Sequence, residues 1–307
     1  MRHTPPSLQS MMGRVGIWTS SHERILASRS GEVAIELELL GYPALWIPES
    51  RGREAFTNAH LLLSKTSRLI IATGIANIYG RDAFTSVSVA KTLNEVFDDR
   101  FVLGLGVSHQ PTVQGLRGHS YETPYSDMEH YLSDMDEVVM MAPEGDRVFA
   151  RVLAALGPRM LALAARTSEG VHTYKVTPEH TATVRSLMGD KFIAVEQAVV
   201  VTKDRSRFLD IARSHLSNTL QLDNYLNNWR RLGFTEADFS AGGSPRLCEA
   251  LVVHGDEAAI LSRIDDHFAA GADHVCIQVL SDDPMVPPLS QWRALASALT
   301  SHRSPRH

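Results

Sequence analysis

Few residues in this sequence combine the ability to transfer a proton with a position at the end of an apolar, strand-like run. Glu49 follows the run ALWIP, His109 follows FVLGLGVS, and Tyr174 ends VHTY. Carboxylates and imidazoles act as general acids and bases, and the unperturbed imidazole pKa of ~6.5 suits work near neutral pH. We take His109 as the leading catalytic candidate and Glu49 as the second. A structural role for His109 remains open.

The other residues at the ends of strand-like runs are aromatic or small, and few are charged. Trp18, Trp46 and Tyr174 are aromatic, and Ser50 is the small polar neighbour of Glu49. A weakly charged slot with aromatic walls suits a planar cofactor that supplies the difficult chemistry itself. Each tryptophan would fit equally well in the core.

Several well-known site signatures are missing from the sequence. There is no G-x-S-x-G motif, and no G-x-G-x-x-G follows the first strand-like run. The pairs His172/His180 and His119/His130 are better explained as scattered members of a set of 14 histidines than as metal ligands. We therefore predict no metal site. A lysine-based isomerase or aldolase would have only Lys175 as its candidate base.

A second chemical feature is the segment LGPRM at residues 156–160, which joins a predicted strand to a predicted helix. Free N–H groups and the positive end of the helix dipole favour a phosphate there, and Arg159 adds a positive charge. The residues that would contact the phosphate are Gly157, Arg159 and Met160. An ordinary strand-to-helix turn with proline at the first helical position is the alternative.

Eight strand-like runs, each followed by a segment of helical periodicity, must position these residues. The predicted strands are Val15–Trp18, Ala44–Ile47, Arg68–Thr73, Phe101–Val107, one within Val148–Ala155, Val171–Tyr174, Phe192–Val201 and His274–Leu280. Continuous apolar strands alternating with helices indicate a parallel sheet covered by helices. Eight such units predict an α/β fold of the (β/α)₈ TIM-barrel type, with the reactive residues at the carboxyl ends of the strands. An open, doubly wound sheet is the alternative.

Residues 204–270 hold more helices than one unit needs, which predicts a helical insertion before strand eight. We expect one domain over residues 13–300, with disordered tails at residues 1–12 and 301–307. The 307 residues carry a formal net charge of −5, which argues against a broad nucleic-acid-binding face. No apolar run is long enough to span a membrane. Cys248 and Cys276 lie in apolar runs and are expected to be buried thiols, so we predict a cytoplasmic protein.

The sequence resembles the luciferase-like monooxygenase superfamily, and within it the actinobacterial branch of coenzyme-F420-dependent oxidoreductases. The similarity extends from about residue 13 to about residue 300 and rests on the order of six segments. These are AIELELLGYPALWIPES, IATGIANIYGRDAF, RFVLGLGVSH, VLAALGPRMLALAARTSEGVHTYKVTPEHT, NYLNNWRRLGF and GDEAAILSRIDDHFAAGADHVCIQVL. The resemblance implies a TIM barrel with an insertion, a homodimer, and F420 or alternatively FMN at the carboxyl-terminal rim.

The resemblance also assigns roles to individual residues. It implies a cis peptide bond between Gly74 and Ile75 against the cofactor ring, whereas a simple bend at Gly74 is the alternative. Glu49 corresponds to an acidic residue near the ring. The remaining cofactor-binding residues are Asn77, Gly106, Val107, Ser108, Gly157, Arg159 and Met160. The substrate slot would be walled by Trp18, Trp46, Ser50 and Tyr174.

Two positions depart from the family pattern. Deazaflavin dehydrogenases carry a histidine where this sequence has Ser50, and a glutamate where it has His109. The departures put the sugar-phosphate and alcohol dehydrogenase activities of the family in doubt. We predict an F420-dependent oxidoreductase that moves a hydride between C5 of the deazaflavin and a small organic substrate. The alternatives are an FMN-dependent luciferase-like monooxygenase and a non-enzymatic flavin-binding or storage barrel.

Overall fold

Ten parallel strands form one sheet in the computed structural model, which describes residues 7–143 and 147–301. Eight of them build the wall of a barrel, and β4 and β9 are short additions that pair with β5 and β8. The strands are β1 (Val15–Trp18), β2 (Ala44–Ile47), β3 (Ile70–Thr73), β4 (Ala76–Asn77), β5 (Phe101–Gly106), β6 (Arg151–Ala154), β7 (Gly170–Thr173), β8 (Phe192–Val200), β9 (Val252–His254) and β10 (His274–Val279).

Strand β10 closes the barrel. It pairs in parallel with β8, from His274 opposite Ala194 to Val279 opposite Val199, and with β1 on its other side. The predicted (β/α)₈ barrel is therefore confirmed, and the closure excludes the open, doubly wound sheet. All eight predicted strands are present, with their ends shifted by a few residues.

The helices follow the strands along the chain, except for the first helix, which precedes β1. They are α1 (Leu8–Met12), α2 (Ala27–Leu39), α3 (Ala55–Leu63), α4 (Ala83–Val96), α5 (Gln110–Val113), α6 (Pro124–Asp136), α7 (Pro158–Thr167), α8 (Pro178–Met188), α9 (Arg205–Leu216), α10 (Asp223–Arg231), α11 (Glu236–Phe239), α12 (Pro245–Leu251), α13 (Glu257–Ala269) and α14 (Leu289–Thr300). Side chains cap several of them: Glu54 accepts from the first turn of α3, and Asp82 from the first turn of α4. Such caps satisfy N–H groups that have no partner within the helix.

The amino-terminal end of the barrel is covered by helix α1. Its Leu8 and Met12 are buried and belong to the same apolar cluster as Trp46 and Phe192 in the barrel interior. The prediction of a disordered tail over residues 1–12 is therefore wrong for residues 8–12, because these apolar side chains find a surface that only the closed barrel provides. Residues 1–6 and 302–307, which complete the two predicted tails, lie outside the described residues.

The insertion before the last barrel strand is confirmed as helices α9 to α12. It has a core of its own, centred on Phe208 and Trp229, and it adds β9 to the edge of β8. Helix α13 then resumes the regular barrel pattern before β10. Cys248, in the insertion, and Cys276, in β10, are both buried and unpaired, as predicted.

Candidate active site at the carboxyl ends of the strands

A cavity of about 840 Å³ opens at the carboxyl ends of the barrel strands. Its size falls in the range of ~300–1,000 Å³ that ligand pockets occupy. Most of the predicted site residues line it: Trp18, Glu49, Ser50, Gly74, Ile75, Gly106, Val107, Ser108, His109, Gly157, Arg159, Met160 and Tyr174. The barrel thus brings together side chains that are separated by more than 150 positions in the sequence.

Two predicted site residues do not reach the cavity. Trp46 is fully buried inside the barrel, where it stacks on His172 with ring centroids 4.3 Å apart and donates a hydrogen bond to Nε2 of His274 over 3.1 Å. Asn77 is also fully buried, and its backbone N–H donates to Glu49 Oε2 over 2.8 Å. The structure therefore places Trp46 in the core, which was the alternative left open for it, and places Asn77 outside the cavity lining, where it holds Glu49 in place.

The floor of the cavity contains the cis peptide bond between Gly74 and Ile75, which is present as predicted. Nε1 of Trp18 donates a hydrogen bond to the Gly74 carbonyl over 3.1 Å. A methyl group on Gly74 would lie 2.8 Å from that Nε1, and one on Gly106 would lie 2.6 Å from the Ile75 side chain. A side chain at either position would therefore displace Trp18 or Ile75 from this closely packed surface.

His172 lies beneath the floor. It is 2% exposed and lines the cavity, and neither ring nitrogen has a hydrogen-bonding partner of normal geometry in the described part of the chain. Burial lowers the pKa of His172 to about 3, and the neighbouring His274 adds to this effect. The ring is therefore neutral and adds no charge to the floor of the cavity.

Glu49 sits at the end of β2 with only 2% of its side chain exposed. Its Oε1 accepts hydrogen bonds from Arg81 and, over 3.3 Å, from Arg117. Its Oε2 is occupied by the N–H of Asn77. Both carboxylate oxygens are thus hydrogen-bonded to residues of the loops around the cavity. Glu49 is better suited to fixing the loops around the cavity than to acting as a base.

His109 is half-buried on the cavity wall, between the end of β5 and the start of α5. Burial lowers the pKa of His109 to about 4, and the positive charge of Lys175 contributes to this effect. The sequence-based expectation of a pKa near neutrality is corrected: at pH 7 the ring is neutral. A neutral imidazole still has one nitrogen that accepts a proton and another that donates one.

Aromatic rings form one wall of the cavity. Trp18 and Tyr174 pack with centroids 5.1 Å apart, and the hydroxyl group of Tyr174 donates a hydrogen bond to Gln278 Oε1 over 2.9 Å. Because the amide Oε1 is an acceptor, the phenol is the donor. Burial raises the pKa of Tyr174 well above its ordinary value, so the phenol stays protonated.

The opposite end of the cavity meets the amino terminus of α7. Gly157 is the N-cap in an extended conformation, and Pro158 takes the first helical turn. The exposed guanidinium group of Arg159 lies 4.4 Å above the ring of Tyr125, and it makes no hydrogen bond or ion pair with any residue that the structure describes. Free helical N–H groups and an uncommitted cation together form a site suited to a phosphate.

Several cavity residues were not identified from the sequence. Tyr121, Tyr125, Leu222, Asn224 and Tyr225 also line the cavity. Tyr225 belongs to the insertion and packs against His109 with ring centroids 5.6 Å apart. Nothing in its local sequence marks it, because the insertion reaches the rim only through tertiary packing.

Lys175 explains how the insertion is fixed to the rim. Its Nζ is buried and donates to the carbonyl of His215 over 2.9 Å and to Thr219. Its backbone N–H donates to Glu196 Oε2 over 3.0 Å. Burial lowers the pKa of Lys175 to about 8 and raises the pKa of Glu196 to about 7. Lys175 does not line the cavity, which removes the candidate base of the isomerase and aldolase hypothesis.

The residues present fit a planar ring joined to a phosphate-bearing chain. The glycine-containing floor and the Trp18–Tyr174 wall suit a flat aromatic group, and residues 157–160 suit a phosphate at the other end. In residues 7–143 and 147–301, no cluster of histidine, cysteine or acidic residues has the arrangement of a metal site. Within the same ranges, no helix has the length and apolar character that crossing a bilayer requires.

The fold and the cavity define a TIM-barrel protein with a ligand site at the carboxyl ends of its strands. The chain belongs to the luciferase-like monooxygenase family, whose model matches residues 11–274. This match confirms the family resemblance seen in the sequence.

Individual relatives are distant. Over 153 residues the chain is 28% identical to a 5,10-methylenetetrahydromethanopterin reductase of Methanolobus tindarius, a match that spans 44% of this chain and 46% of the relative. The chain therefore matches about half the length of this curated relative.

Two solved structures share the fold over nearly their whole length. An F420-dependent secondary alcohol dehydrogenase in complex with an F420–acetone adduct superposes with a TM-score of 0.72 at 14% identity, covering 93% of this chain and 97% of that one. The oxygenating constituent of 3,6-diketocamphane monooxygenase from Pseudomonas putida, in complex with FMN, gives 0.67 at 13% identity, covering 95% and 98%. At these identities the superpositions show a common fold.

Proposed function

We propose that this protein is an F420-dependent oxidoreductase that transfers a hydride between C5 of the deazaflavin and a small organic substrate. One observation carries the proposal: a single cavity joins a flat floor at Gly74 and Gly106 to a free cation and helix terminus at Arg159. The choice of F420 is supported by the F420-dependent secondary alcohol dehydrogenase that shares the fold.

The cofactor, when bound, supplies the two-electron chemistry, and the protein supplies binding, orientation and protection from water. Residues 157–160 hold the phosphate, and Trp18 and Tyr174 confine the ring and the substrate to one side of the slot. Tyr225 and Leu222 of the insertion also line the cavity, and their apolar surface would exclude water from the part of the slot that they cover. Holding two reactants in a fixed orientation removes much of the entropic barrier to a two-molecule reaction.

His109 is the residue that we propose to move a proton. Its neutral ring accepts a proton at one nitrogen or donates the proton carried by the other, and the ring lies on the wall of the cavity. Glu49 instead orients the surrounding loops through its contacts with Arg81, Arg117 and Asn77.

The cofactor is tested by titrating the purified protein with F420 and with FMN, following the fluorescence of each. We expect saturable binding of F420. When the protein is supplied with reduced FMN, we expect it to consume oxygen slowly or not at all. Tight binding of FMN without binding of F420 would overturn the proposal and favour an FMN-dependent monooxygenase, which the FMN-bound structural neighbour makes the second candidate. Binding of either cofactor with no turnover in any substrate screen would favour a storage protein.

We further propose that residues 13–300 act as one domain, that the protein is a homodimer, and that it works in the cytoplasm on a small-molecule substrate. Size-exclusion chromatography with light scattering tests the homodimer, since the mass of a monomer at micromolar concentration would contradict it. Limited proteolysis tests the single domain, because a stable internal fragment is not expected.

A further inference from the structure

A second, smaller pocket adjoins the cavity on the side of β2. Its volume is about 330 Å³, and Glu49 and Ser50 line both spaces. The other end of the main cavity, at residues 157–160, follows β6, which lies three strands further around the barrel. The small pocket is therefore well separated from the site suited to the cofactor phosphate, and its volume is less than half that of the main cavity.

Three arginines and two glutamates line this small pocket, but the two glutamates are already engaged. Arg81, which lies behind the pocket wall, forms ion pairs with both Glu49 and Glu54. Both oxygens of Glu54 also cap helix α3. Arg81, which does not itself line the pocket, thus offsets one of these two negative charges, and three lining arginines remain against the other.

The arginines that line the pocket, in contrast, are short of negative partners. Arg51 is exposed and makes no hydrogen bond or ion pair with the residues described here. Arg53 donates to the backbone carbonyls of His22 and Ile25, which fix its position without neutralising its charge. Arg117 has a quarter of its side chain exposed and reaches Glu49 only over 3.3 Å.

A third acidic residue, Glu23, lies beside the pocket but does little to change its net charge. Glu23 packs closely against Gly52. Burial raises the pKa of Glu23 to about 7, so near neutral pH this carboxyl group is only partly ionised. The pocket therefore keeps an excess of positive charge next to the place where a substrate would meet the cavity wall.

We propose that the pocket formed by Arg51, Arg53 and Arg117 binds an anionic group of the substrate, a carboxylate or a phosphate, while the reacting end of that substrate lies in the main cavity. Guanidinium groups are the preferred partners of both anions because they donate paired hydrogen bonds in a fixed plane. The assignment of the anion to a substrate rests on the proposed function. The anion site itself does not depend on the identity of the cofactor.

The anion site is tested without any cofactor by titrating the protein with inorganic phosphate and, separately, with acetate at constant ionic strength, using ³¹P and ¹³C NMR line broadening. The variant Arg159→Gln serves as the background, so that the helix α7 site does not contribute. In this background Arg51→Gln is expected to weaken anion binding about tenfold, the loss typical of one charge-assisted hydrogen bond. Arg51→Lys is expected to restore part of the affinity.

Arg68→Gln is the matched control. Arg68 is an exposed arginine just before β3, at the amino-terminal end of the barrel, and its side chain has no partner among the described residues. It is expected to leave anion binding unchanged. Equal affinities in the background and in the Arg51→Gln variant would overturn the proposal, and so would the absence of binding in the background. Whichever of phosphate and acetate binds more tightly identifies the chemical group that the pocket prefers.

Turnover provides a second test. Unsaturated carbonyl substrates are compared as free carboxylic acids and as their methyl esters, with the cofactor that the protein binds. The preference in kcat/KM for the acid over the ester is expected to fall about tenfold in Arg51→Gln and to stay the same in Arg68→Gln. An unchanged preference contradicts the substrate assignment. If neither F420 nor FMN binds, the proposed function fails while the anion titration still decides the pocket.

Discussion

Nε1 of Trp18 donates a hydrogen bond over 3.1 Å to the carbonyl of Gly74, and this contact ties the end of β1 to the floor of the cavity. Trp18 also packs on Tyr174, so one indole ring joins the floor to the aromatic wall. The shape of the slot therefore depends on a residue that contributes no charge and no proton. This contact leads to the first of four predictions.

Replacing Trp18 with phenylalanine removes the donor and leaves the Gly74 carbonyl without its partner. We expect a loss of about 1 kcal/mol in the free energy of unfolding from the hydrogen bond, in addition to the loss of packing. We also expect weaker binding of the cofactor, because the floor and the wall lose their common anchor. Urea denaturation and fluorescence titration measure the two effects.

Trp292→Phe is the control for this variant. Nε1 of Trp292 is buried without a hydrogen-bonding partner in the described residues, so its removal costs packing but no hydrogen bond. It is expected to lower stability less than Trp18→Phe and to leave cofactor binding intact. If the two variants lose the same stability and bind the cofactor equally well, the hydrogen bond has no special role.

Replacing Glu49 with glutamine removes the charge that pairs with Arg81 inside the protein. Only 6% of the Arg81 side chain and 2% of the Glu49 side chain are exposed. Removing one partner of a buried pair costs about 3–5 kcal/mol, and the remaining contact between Arg81 and Glu54 places the expected loss near the lower end of that range. Thermal or urea unfolding measures it.

Glu32→Gln provides the comparison, because Glu32 pairs with Arg29 on the surface, where both side chains are about half exposed. Exposed pairs contribute about 0–1 kcal/mol, so this variant should be nearly neutral. A Glu49→Gln variant that is as stable as Glu32→Gln contradicts the positioning role of Glu49. A variant that is stable but inactive points instead to a direct part in proton transfer.

His109 should make stability depend on pH between about 4 and 6.5. Its pKa is lowered to about 4 in the folded protein, first by burial and then by Lys175. Between the two values the unfolded chain binds the proton and the folded protein does not, so stability falls as the pH falls through this interval. At ~1.4 kcal/mol for each pKa unit, the full difference between about 4 and 6.5 corresponds to about 3.5 kcal/mol.

The variant His109→Gln removes this titration, and its free energy of unfolding should change less steeply from pH 6.5 to pH 4 than that of the parent protein. Above pH 7 the two curves should run parallel, which serves as the internal control. Identical slopes over the whole range would show that His109 does not titrate as described. In the same variant, kcat should fall at all pH values if His109 moves the proton.

Replacing Arg159 with glutamine should weaken the binding of ligands that carry a phosphate. The free guanidinium lies beside the amino terminus of α7, where an added charge-assisted hydrogen bond is worth about 1.5–3 kcal/mol. We expect at least a tenfold rise in Kd for F420 and for FMN. Binding of riboflavin and of the deazariboflavin fragment of F420, which lack the phosphate, should change little.

Arg166→Gln is the matched control, since Arg166 lies in the last turn of the same helix and is exposed. It should leave all four affinities unchanged. Equal losses for the phosphorylated and unphosphorylated ligands in Arg159→Gln would show that Arg159 contacts the ring region or supports the fold, rather than binding phosphate.

Much of the site could be predicted from local sequence, because a strand-like run and its immediate end are local features. Gly74, Gly106, His109 and residues 157–160 each follow or end such a run, and all of them line the cavity. The sequence predicted the protonation behaviour of the site residues less accurately. His109 was expected to titrate near neutrality, and only its burial beside Lys175 in the folded protein lowers its pKa to about 4.

The sequence by itself determined the barrel, the eight strands and the rim, since these follow from the periodicity of apolar residues along the chain. Tertiary structure alone decided which way each side chain faces and what it meets. Trp46 points into the core while Trp18 faces the cavity, although Trp18 is the last and Trp46 the third residue of a strand of four. Glu49 meets Arg81 and Arg117, which lie 32 and 68 positions further along the chain. Such contacts arise only when the barrel closes, because closure fixes which strand ends and loops become neighbours.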